Sequence, residues 1–282
     1  MSSKRTLISA AVLVVAAYAA HQPGQPLRPG FNLFSKQQDV QLGETNAKQV
    51  LAQSQVVKNQ FLQDYVSRIG NRLADAREAK QSGFQFRFTV LNSAEVNAFA
   101  LPGGPMFIYT GLLKACDNEA QLAGVMGHEM SHVILRHGTH EATKANMIEL
   151  PALLAGSLIG QDSTMGKLAQ MGLGLGANSV ILKFSRDAES EADALGSHLM
   201  SEAGYNPVEM ARFFEKLASG PHPPQILSDH PNPGNREKAI QAELQTLPPR
   251  TYGYATGDFT RMKSECAALP PAPSKPGPTA AK

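Results

Sequence analysis

The sequence has no tryptophan, and aromatic residues make up only 6% of its 282 positions. Such a chain has little material for an aromatic platform that stacks on sugars or nucleobases. An excess of charge of one sign is also lacking, because 26 basic side chains stand against 24 acidic ones and leave a net charge of +2. These two absences argue against nucleic acid or carbohydrate as a partner.

Cysteine is scarce as well, since the chain has only Cys116 and Cys266. Two cysteines this far apart in the sequence do not build a disulfide framework. They either form one bond in an oxidising compartment or both stay free, and the sequence does not choose between these outcomes. The balance of 42% hydrophobic and 18% charged residues is that of a globular protein with a substantial core.

The apolar run at the N-terminus, residues 7–20, is shorter than the roughly 20 residues that a transmembrane helix needs. Lys4 and Arg5 precede this run and small residues close it, which is the layout of a secretory signal peptide. We therefore predict that residues 1–20 are a signal peptide and that the protein is exported to the periplasm. The alternative is an uncleaved segment that anchors the protein to a membrane.

The remainder of the chain divides by composition. Residues 21–30 form a Pro/Gly linker, residues 31–247 a folded domain, and residues 248–282 a Pro-rich tail that we predict to be disordered. Helical spacing of apolar residues predicts helices over about 39–52 and 58–79, while alternation predicts strands over 84–90 and 106–109. The expected fold class is mainly α with a small mixed β-sheet (α+β).

The pattern that carries chemistry is His-Glu-Met-Ser-His at residues 128–132, an H-E-x-x-H motif of zinc hydrolases. Two histidines four apart on a helix share one face, so His128 and His132 can bind one metal ion. Glu129 is then placed to act as a general base. Apolar residues at helical spacing predict a partly buried helix over about 117–138, whereas accidental matches lie more often on polar surface helices.

The residues after this motif exclude one class of zinc peptidase. A catalytic zinc takes three protein ligands and keeps a fourth position for water. The metzincin pattern would need Gly at 135 and His at 138, where this chain has Leu135 and Gly138. His137 is one residue out of register for that pattern, so the third ligand must come from elsewhere.

A second helix, predicted to follow Ser185, supplies candidate carboxylates. Glu189 and Asp193 lie four apart, so Glu189 can bind the metal while Asp193 orients a ligating histidine. Glu191 lies about 200° round the helix from Glu189 and is expected to point elsewhere. The alternative is a solvated acidic helix start, favoured by the helix dipole.

Two further segments bear on the site. Residues 147–182 are apolar and rich in Gly, Ala and Met, which indicates either a buried helical hairpin over the H-E-x-x-H helix or a mobile lid or membrane-facing element. His230 lies in a loop and is held extended by Pro231, although most loop histidines are simply solvated. We expect Arg236, which follows this loop, to stabilise negative charge that develops on a substrate carbonyl.

Taken together, these motifs resemble metallopeptidase family forty-eight, the glutamate-zincins that include the CAAX prenyl protease, HtpX and BepA. The resemblance covers about residues 31–247 and follows the family's order of motifs. The matching pieces are residues 97–104 (Asn-Ala-Phe-Ala-Leu-Pro-Gly-Gly), 109–113, 128–132, 189–193 and 230–231. It implies a zincin-like metallopeptidase domain with the H-E-x-x-H helix at its centre. It also implies one Zn²⁺ per chain on His128, His132 and Glu189, with Glu129 as the base.

The resemblance also implies how a substrate binds. The strand leading to Asn97, Ala98 and Phe99 would pair with the backbone of an unfolded or misfolded polypeptide. In BepA-like members the His of His-Pro can approach the zinc as a fourth ligand, which makes His230 a removable plug. Peripheral membrane or outer-membrane assembly contacts are further expected partners, whereas the lack of multiple spanning helices disfavours a prenylated substrate.

The predicted function is therefore an exported zinc metalloendopeptidase in protein quality control of the cell envelope. One alternative is a zinc-stabilised chaperone or binding module with little proteolysis, and another is a degenerate metal site. An intact Glu129 argues against both, because a purely structural zinc site closes its shell and needs no base. The sequence gives no indication of the oligomeric state.

Overall fold

A computed structural model describes residues 21–145, 184–221, 224–232 and 234–273. The predicted signal peptide and the apolar segment 147–182 lie outside the described residues. Within the described ranges, no helix has both the length and the apolar character required to cross a membrane.

The described residues form helices around one small sheet, which confirms the predicted fold class. The first elements are α1 (Lys36–Gln53), α2 (Gln60–Ala74), α3 (Arg77–Ser82), β1 (Arg87–Leu91), β2 (Ala98–Ala100) and β3 (Pro105–Tyr109). They are followed by α4 (Thr110–Ala115), α5 (Glu119–Ile134), α6 (Arg186–Ala203), α7 (Val208–Ala218), α8 (Gln225–Asp229), α9 (Arg236–Leu244) and α10 (Phe259–Ala267). Residues 137–145, between α5 and the next gap, are also helical.

The prediction of a single helix over residues 58–79 is wrong, because the structure has two helices in this region. α2 begins after Asn59, whose side chain accepts a hydrogen bond from Leu62 N–H, and it ends at Ala74. Ala76 adopts an extended backbone and precedes α3, which breaks the run of helical hydrogen bonds. The apolar stripe of α2 is buried as its spacing predicts.

The sheet has the order β1-β3-β2, with β1 parallel and β2 antiparallel to β3. Its first strand begins at Arg87, three residues later than predicted. The turn between β2 and β3 requires glycine, because Gly103 and Gly104 both have positive φ and a Cβ on either would meet the backbone of Val40 or Gln85. The strand order places β2 at one edge of the sheet, where it lies beside α5.

α5 lies at the centre of the domain, where α6 and α7 pack against it. α5 and α6 cross at Gly127 and Gly196, and a Cβ on Gly196 would lie only 3.2 Å from the backbone nitrogen of His128. The absence of side chains at this crossing lets the two backbones approach closely. This approach brings the carboxylates of α6 to the histidines of α5.

The prediction that the chain is disordered from residue 248 onward is wrong for residues 259–267. These residues form α10, and Met262 and Cys266, four apart on one face, are fully buried in the main core. The Pro-rich composition around this helix obscured its short apolar stripe. Cys116 is also buried, and both cysteines are free in the structure.

Candidate metal centre

The N-terminus of α5 is fixed by hydrogen bonds on two sides. Asn118 caps the helix by accepting from Gln121 N–H. Glu119 is buried and accepts from the hydroxyl groups of Tyr65 and Tyr205, each at 3.0 Å. The helix ends at Ile134, earlier than the predicted Gly138, and this rigid segment positions the H-E-x-x-H motif.

Four buried residues converge at the middle of α5: His128, His132, Glu189 and His230. Each offers one ligand atom, and these atoms all lie within 4.8 Å of one another. His128 Nε2 lies 3.1 Å from His132 Nε2, 3.2 Å from His230 Nδ1 and 3.3 Å from Glu189 Oε2. A tetrahedral zinc site has edges of about 3.3–3.4 Å between ligand atoms. The donors therefore fit the size and chemistry of a zinc site.

The close packing of these four side chains shifts the pKa values of Glu189 and His230. Burial raises the pKa of Glu189, but the charge and hydrogen bonds of His128, His132 and His230 hold it far below its usual range. Burial lowers the pKa of His230, but Glu129 and Glu189 outweigh this and raise it to about 10. A metal ion bound here would take over the positive charge that balances Glu189, with release of protons from the histidines.

Each histidine of the motif has a partner on the ring nitrogen that faces away from the cluster. His128 Nδ1 lies 3.0 Å from Asp193 Oδ1. His132 Nδ1 lies 2.9 Å from His137 Nδ1, and His137 Nε2 lies 3.0 Å from a carboxylate oxygen of Glu191. Both rings are thereby held in orientations that aim Nε2 at the cluster.

Further packing surrounds His132 and His137. The ring of Phe184 stacks on that of His132 at 3.9 Å between centroids, with 17° between the planes. Burial lowers the pKa of both histidines, which favours their neutral forms.

The guanidinium of Arg236 lies against two carboxylates of α6, those of Glu189 and Asp193. It donates to Asp193 Oδ1 at 2.7 Å and to Glu189 Oε2 at 3.0 Å, and it lies over the ring of Phe214. The side chain is only 2% exposed. This placement differs from our expectation of a donor to a substrate carbonyl, and it is that of a residue that positions Glu189 and Asp193.

Glu129 lies between the cluster and the sheet edge. One carboxylate oxygen is 3.1 Å from His230 Nε2, and the other accepts from the backbone N–H of Ala100 at 3.3 Å. A group in this position can exchange a proton with whatever occupies the space between β2 and the cluster.

The register of β2 decides which of its backbone groups face that space. Asn97 accepts a hydrogen bond from Tyr109 N–H, so its carbonyl faces β3. Alternate residues of an antiparallel strand turn their backbone groups to opposite edges. Those of Ala98 and Ala100 therefore face outward, toward Glu129 in the case of Ala100.

This register refines the substrate strand that we expected at Asn97, Ala98 and Phe99. Phe99 pairs with Phe107 of β3, on which its ring also stacks, and so it does not offer its backbone to a substrate. The outward-facing residue beyond Ala98 is Ala100, which sequence reasoning did not name.

The structure thus brings the predicted residues of α5, α6 and the His230 loop into one site. The sequence did not reveal that His137 and Glu191 hold the ring of His132 in place. In the sequence, His137 matters only for the metzincin pattern, and Glu191 only as an alternative to Glu189. Their contact with each other and with His132 required the turn at Arg136, whose positive φ of 57° the sequence does not indicate.

Comparisons with known proteins identify the family of this chain. The chain matches the model of peptidase family M48 over residues 60–244. It is 30% identical over 250 residues to a beta-barrel assembly-enhancing protease of Yersinia pestis, an alignment that covers 82% of this chain and 51% of that protein. The corresponding protease of Escherichia coli (strain K12) is 30% identical over 240 residues, which cover 82% of this chain and 49% of that protein.

A mitochondrial metalloendopeptidase OMA1 of Arabidopsis thaliana is also similar, with 32% identity over 192 residues that cover 67% of this chain and 37% of that protein. The chain spans about half the length of the bacterial relatives above. The family model covers most of the described domain, including every residue of the four-membered cluster. By that match, this chain belongs to peptidase family M48.

Proposed function

We propose that this protein is a zinc-dependent endopeptidase. The observation that carries the proposal is the convergence of four buried ligand atoms, with Glu129 beside them and a strand edge on the far side of Glu129. His128, His132 and Glu189 would hold one zinc ion per chain. Three protein ligands of this type, with an additional position that can open, are typical of catalytic zinc.

The roles of the side chains follow from their positions. Bound zinc supplies Lewis-acid chemistry and makes water a usable nucleophile near neutral pH. Glu129 takes the proton of the attacking water on its carboxylate and passes it to the leaving amine. Asp193 holds the ring of His128, and Arg236 holds the carboxylates of Glu189 and Asp193 in place.

The substrate class is proposed from the edge of β2. An extended peptide would add to this edge through the outward backbone groups of Ala98 and Ala100, replacing the hydrogen bonds that their N–H groups now donate to Asn97 Oδ1 and to Glu129. It would place a carbonyl near Glu129 in fixed register. Unfolded or misfolded polypeptides expose such segments, whereas folded proteins do not. We therefore assign the enzyme to protein quality control.

His230 would regulate this site. Its Nδ1 lies 2.9 Å from Glu189 and its Nε2 lies 3.1 Å from Glu129, so the imidazole contacts both a metal ligand and the base. With zinc bound, the imidazole would compete with water for the position that a catalytic zinc site keeps open. Movement of the loop that carries His230 would release both groups together.

We place the enzyme in the periplasm, on the basis of the signal-like sequence of residues 1–20. The bacterial relatives are named for enhancing β-barrel assembly, which supports a contact with outer-membrane assembly as the partner to test. N-terminal sequencing of the mature protein should find Ala20 or His21 as the first residue. A membrane-bound form that begins at Met1 or Ser2 would instead support an uncleaved anchor.

One experiment separates the peptidase from a zinc-stabilised chaperone or a degenerate metal site. Zinc content and cleavage of casein are measured for the wild type, for Glu129→Gln and for Glu215→Gln, a control at an exposed carboxylate of α7. A peptidase requires that Glu129→Gln keeps its zinc and loses cleavage, while the control keeps both. Zinc binding without cleavage in the wild type favours the chaperone, and absence of zinc favours the degenerate site.

A further inference from the structure

His132, His137 and Glu191 form a chain of side chains that leads away from the metal cluster. The two imidazoles meet through their Nδ1 atoms at 2.9 Å, and His137 Nε2 lies 3.0 Å from Glu191 Oε2. His132 and His137 are 4% exposed, so water contributes little to these contacts. This series of three contacting side chains begins at His132 on α5, continues through His137 in the helical residues 137–145 and ends at Glu191 on α6.

Hydrogen-bond chemistry fixes the proton positions along this chain. A contact between two ring nitrogens is a hydrogen bond only if one donates and the other accepts. Glu191, as a carboxylate, can only accept, so His137 must carry its proton on Nε2. With His137 in its neutral form, Nδ1 is then the acceptor, and His132 must carry its own proton on Nδ1. That tautomer leaves the lone pair of His132 Nε2 directed at the cluster.

We propose that His137 and Glu191 are positioning residues that set the tautomer and orientation of His132 as a metal ligand. This inference rests on the proposed zinc site and adds to it a second support that is parallel to that of His128. Asp193 contacts His128 directly, whereas Glu191 acts on His132 through one intervening imidazole.

The backbone is built to hold this arrangement. Arg136 has a φ of 57°, a conformation that is rare for residues other than glycine. Its guanidinium donates to the carboxylate of Asp39 and to the carbonyl of Phe34, which ties the turn to the start of α1. The turn ends α5 directly after the H-E-x-x-H motif and places His137 against the outer side of His132.

The test is the zinc affinity of purified protein, measured by competition with a chromophoric chelator. Outer partners of metal ligands typically change affinity by about 10–100-fold. His137→Leu, which offers no acceptor, should weaken zinc binding by about this factor. His137→Asn should restore most of the affinity, because its side-chain oxygen can accept from His132 Nδ1–H without help from Glu191.

A double-mutant comparison isolates the part of Glu191. Glu191→Ala should weaken zinc binding in the wild-type background and have little effect in the His137→Asn background, where the link is bypassed. Asp187→Ala, a carboxylate one turn earlier on α6, is the matched control and should change nothing. Thermal unfolding of the zinc-free variants shows whether a loss of affinity merely reflects a loss of folded protein.

The outcomes separate this inference from the proposed function. Zinc binding by the wild type together with unchanged binding by His137→Leu would overturn the inference alone. It would also be overturned if His137→Asn bound zinc no better than His137→Leu, or if Glu191→Ala had the same effect in both backgrounds. A wild type that binds no zinc would contradict the proposed function itself.

Discussion

The C-terminal half of α6 carries His198, which links three other segments of the domain. His198 Nε2 lies 2.7 Å from Glu243 on α9, and its Nδ1 lies 3.5 Å from Glu78 on α3. Glu243 also contacts His21 at 3.0 Å, which ties the N-terminal segment to the same cluster. Because α6 carries Glu189 and α9 begins at Arg236, this cluster holds together the two helices that support the metal centre.

The charges of this cluster stabilise the fold over a defined range of pH. Burial lowers the pKa of His198, but hydrogen bonds to Glu243 and Glu78 outweigh it and raise the pKa from 6.5 to about 9. The hydrogen bond from His198 lowers the pKa of Glu78 to about 2. Burial raises the pKa of Glu243, but His198 and His21 lower it to about 2.

The magnitude follows from the shift at His198, whose side chain is only 14% exposed. At about 1.4 kcal/mol per pKa unit, a rise from 6.5 to about 9 corresponds to roughly 3 kcal/mol of the free energy of unfolding. Because the folded pKa is the higher one, this contribution is complete below about pH 6.5 and is lost as the pH rises toward about 9. On the acid side it is lost as Glu78 and Glu243 are protonated, from about pH 4.5 down to about 2.

The perturbation is His198→Gln, which keeps hydrogen-bonding capacity but carries no charge. Urea unfolding of the zinc-free proteins at about pH 6 should show the variant roughly 3 kcal/mol less stable than the wild type, with the difference shrinking toward zero at about pH 10. Glu243→Gln should lower the free energy of unfolding by less in the His198→Gln background than in the wild type. A difference between wild type and variant that does not change with pH would refute the reasoning.

Three further predictions concern the site. Glu189→Ala should lose zinc, while Asp187→Ala retains it, because only the former removes a ligand; equal zinc contents in metal analysis would contradict the assignment. His230→Ala should retain zinc and raise the basal rate of casein cleavage; a sharp fall with zinc still bound would make His230 a donor to the transition state. Ala100→Pro should keep the fold and zinc but reduce kcat/KM for peptides, because it removes the outward N–H that donates to Glu129 and that an extended peptide would meet at the strand edge; unchanged kinetics would argue against a role of this edge of β2.

The residues that the sequence could assign are those related by simple helix geometry. His128 and His132 are four apart on one helix, as are Glu189 and Asp193 on another, and the structure places each pair on one face. The apolar period of α2 is of the same kind. In each case the relation depends only on the local rotation of about 100° per residue.

The residues that could not be assigned depend on where separate elements meet. The rotation that directs Glu191 away from the metal cluster is correct, yet it says nothing of His137, which reaches Glu191 only after the turn at Arg136. The role expected for Arg236 differs from the observed one for the same reason. α9 packs on α6 and buries the guanidinium of Arg236 against Glu189, and the sequence does not indicate this packing. Contacts of this sort arise from packing between distant segments and leave no periodic trace in the sequence.

The central claim is that one zinc ion, held by His128, His132 and Glu189, is required for peptidase activity. The most direct test is to remove the metal with a chelator and to restore it stepwise while casein cleavage is measured. We expect no cleavage by the metal-free protein and a rise in cleavage that saturates at about one zinc per chain. Undiminished cleavage by the metal-free protein, or zinc uptake that restores no cleavage, would contradict it.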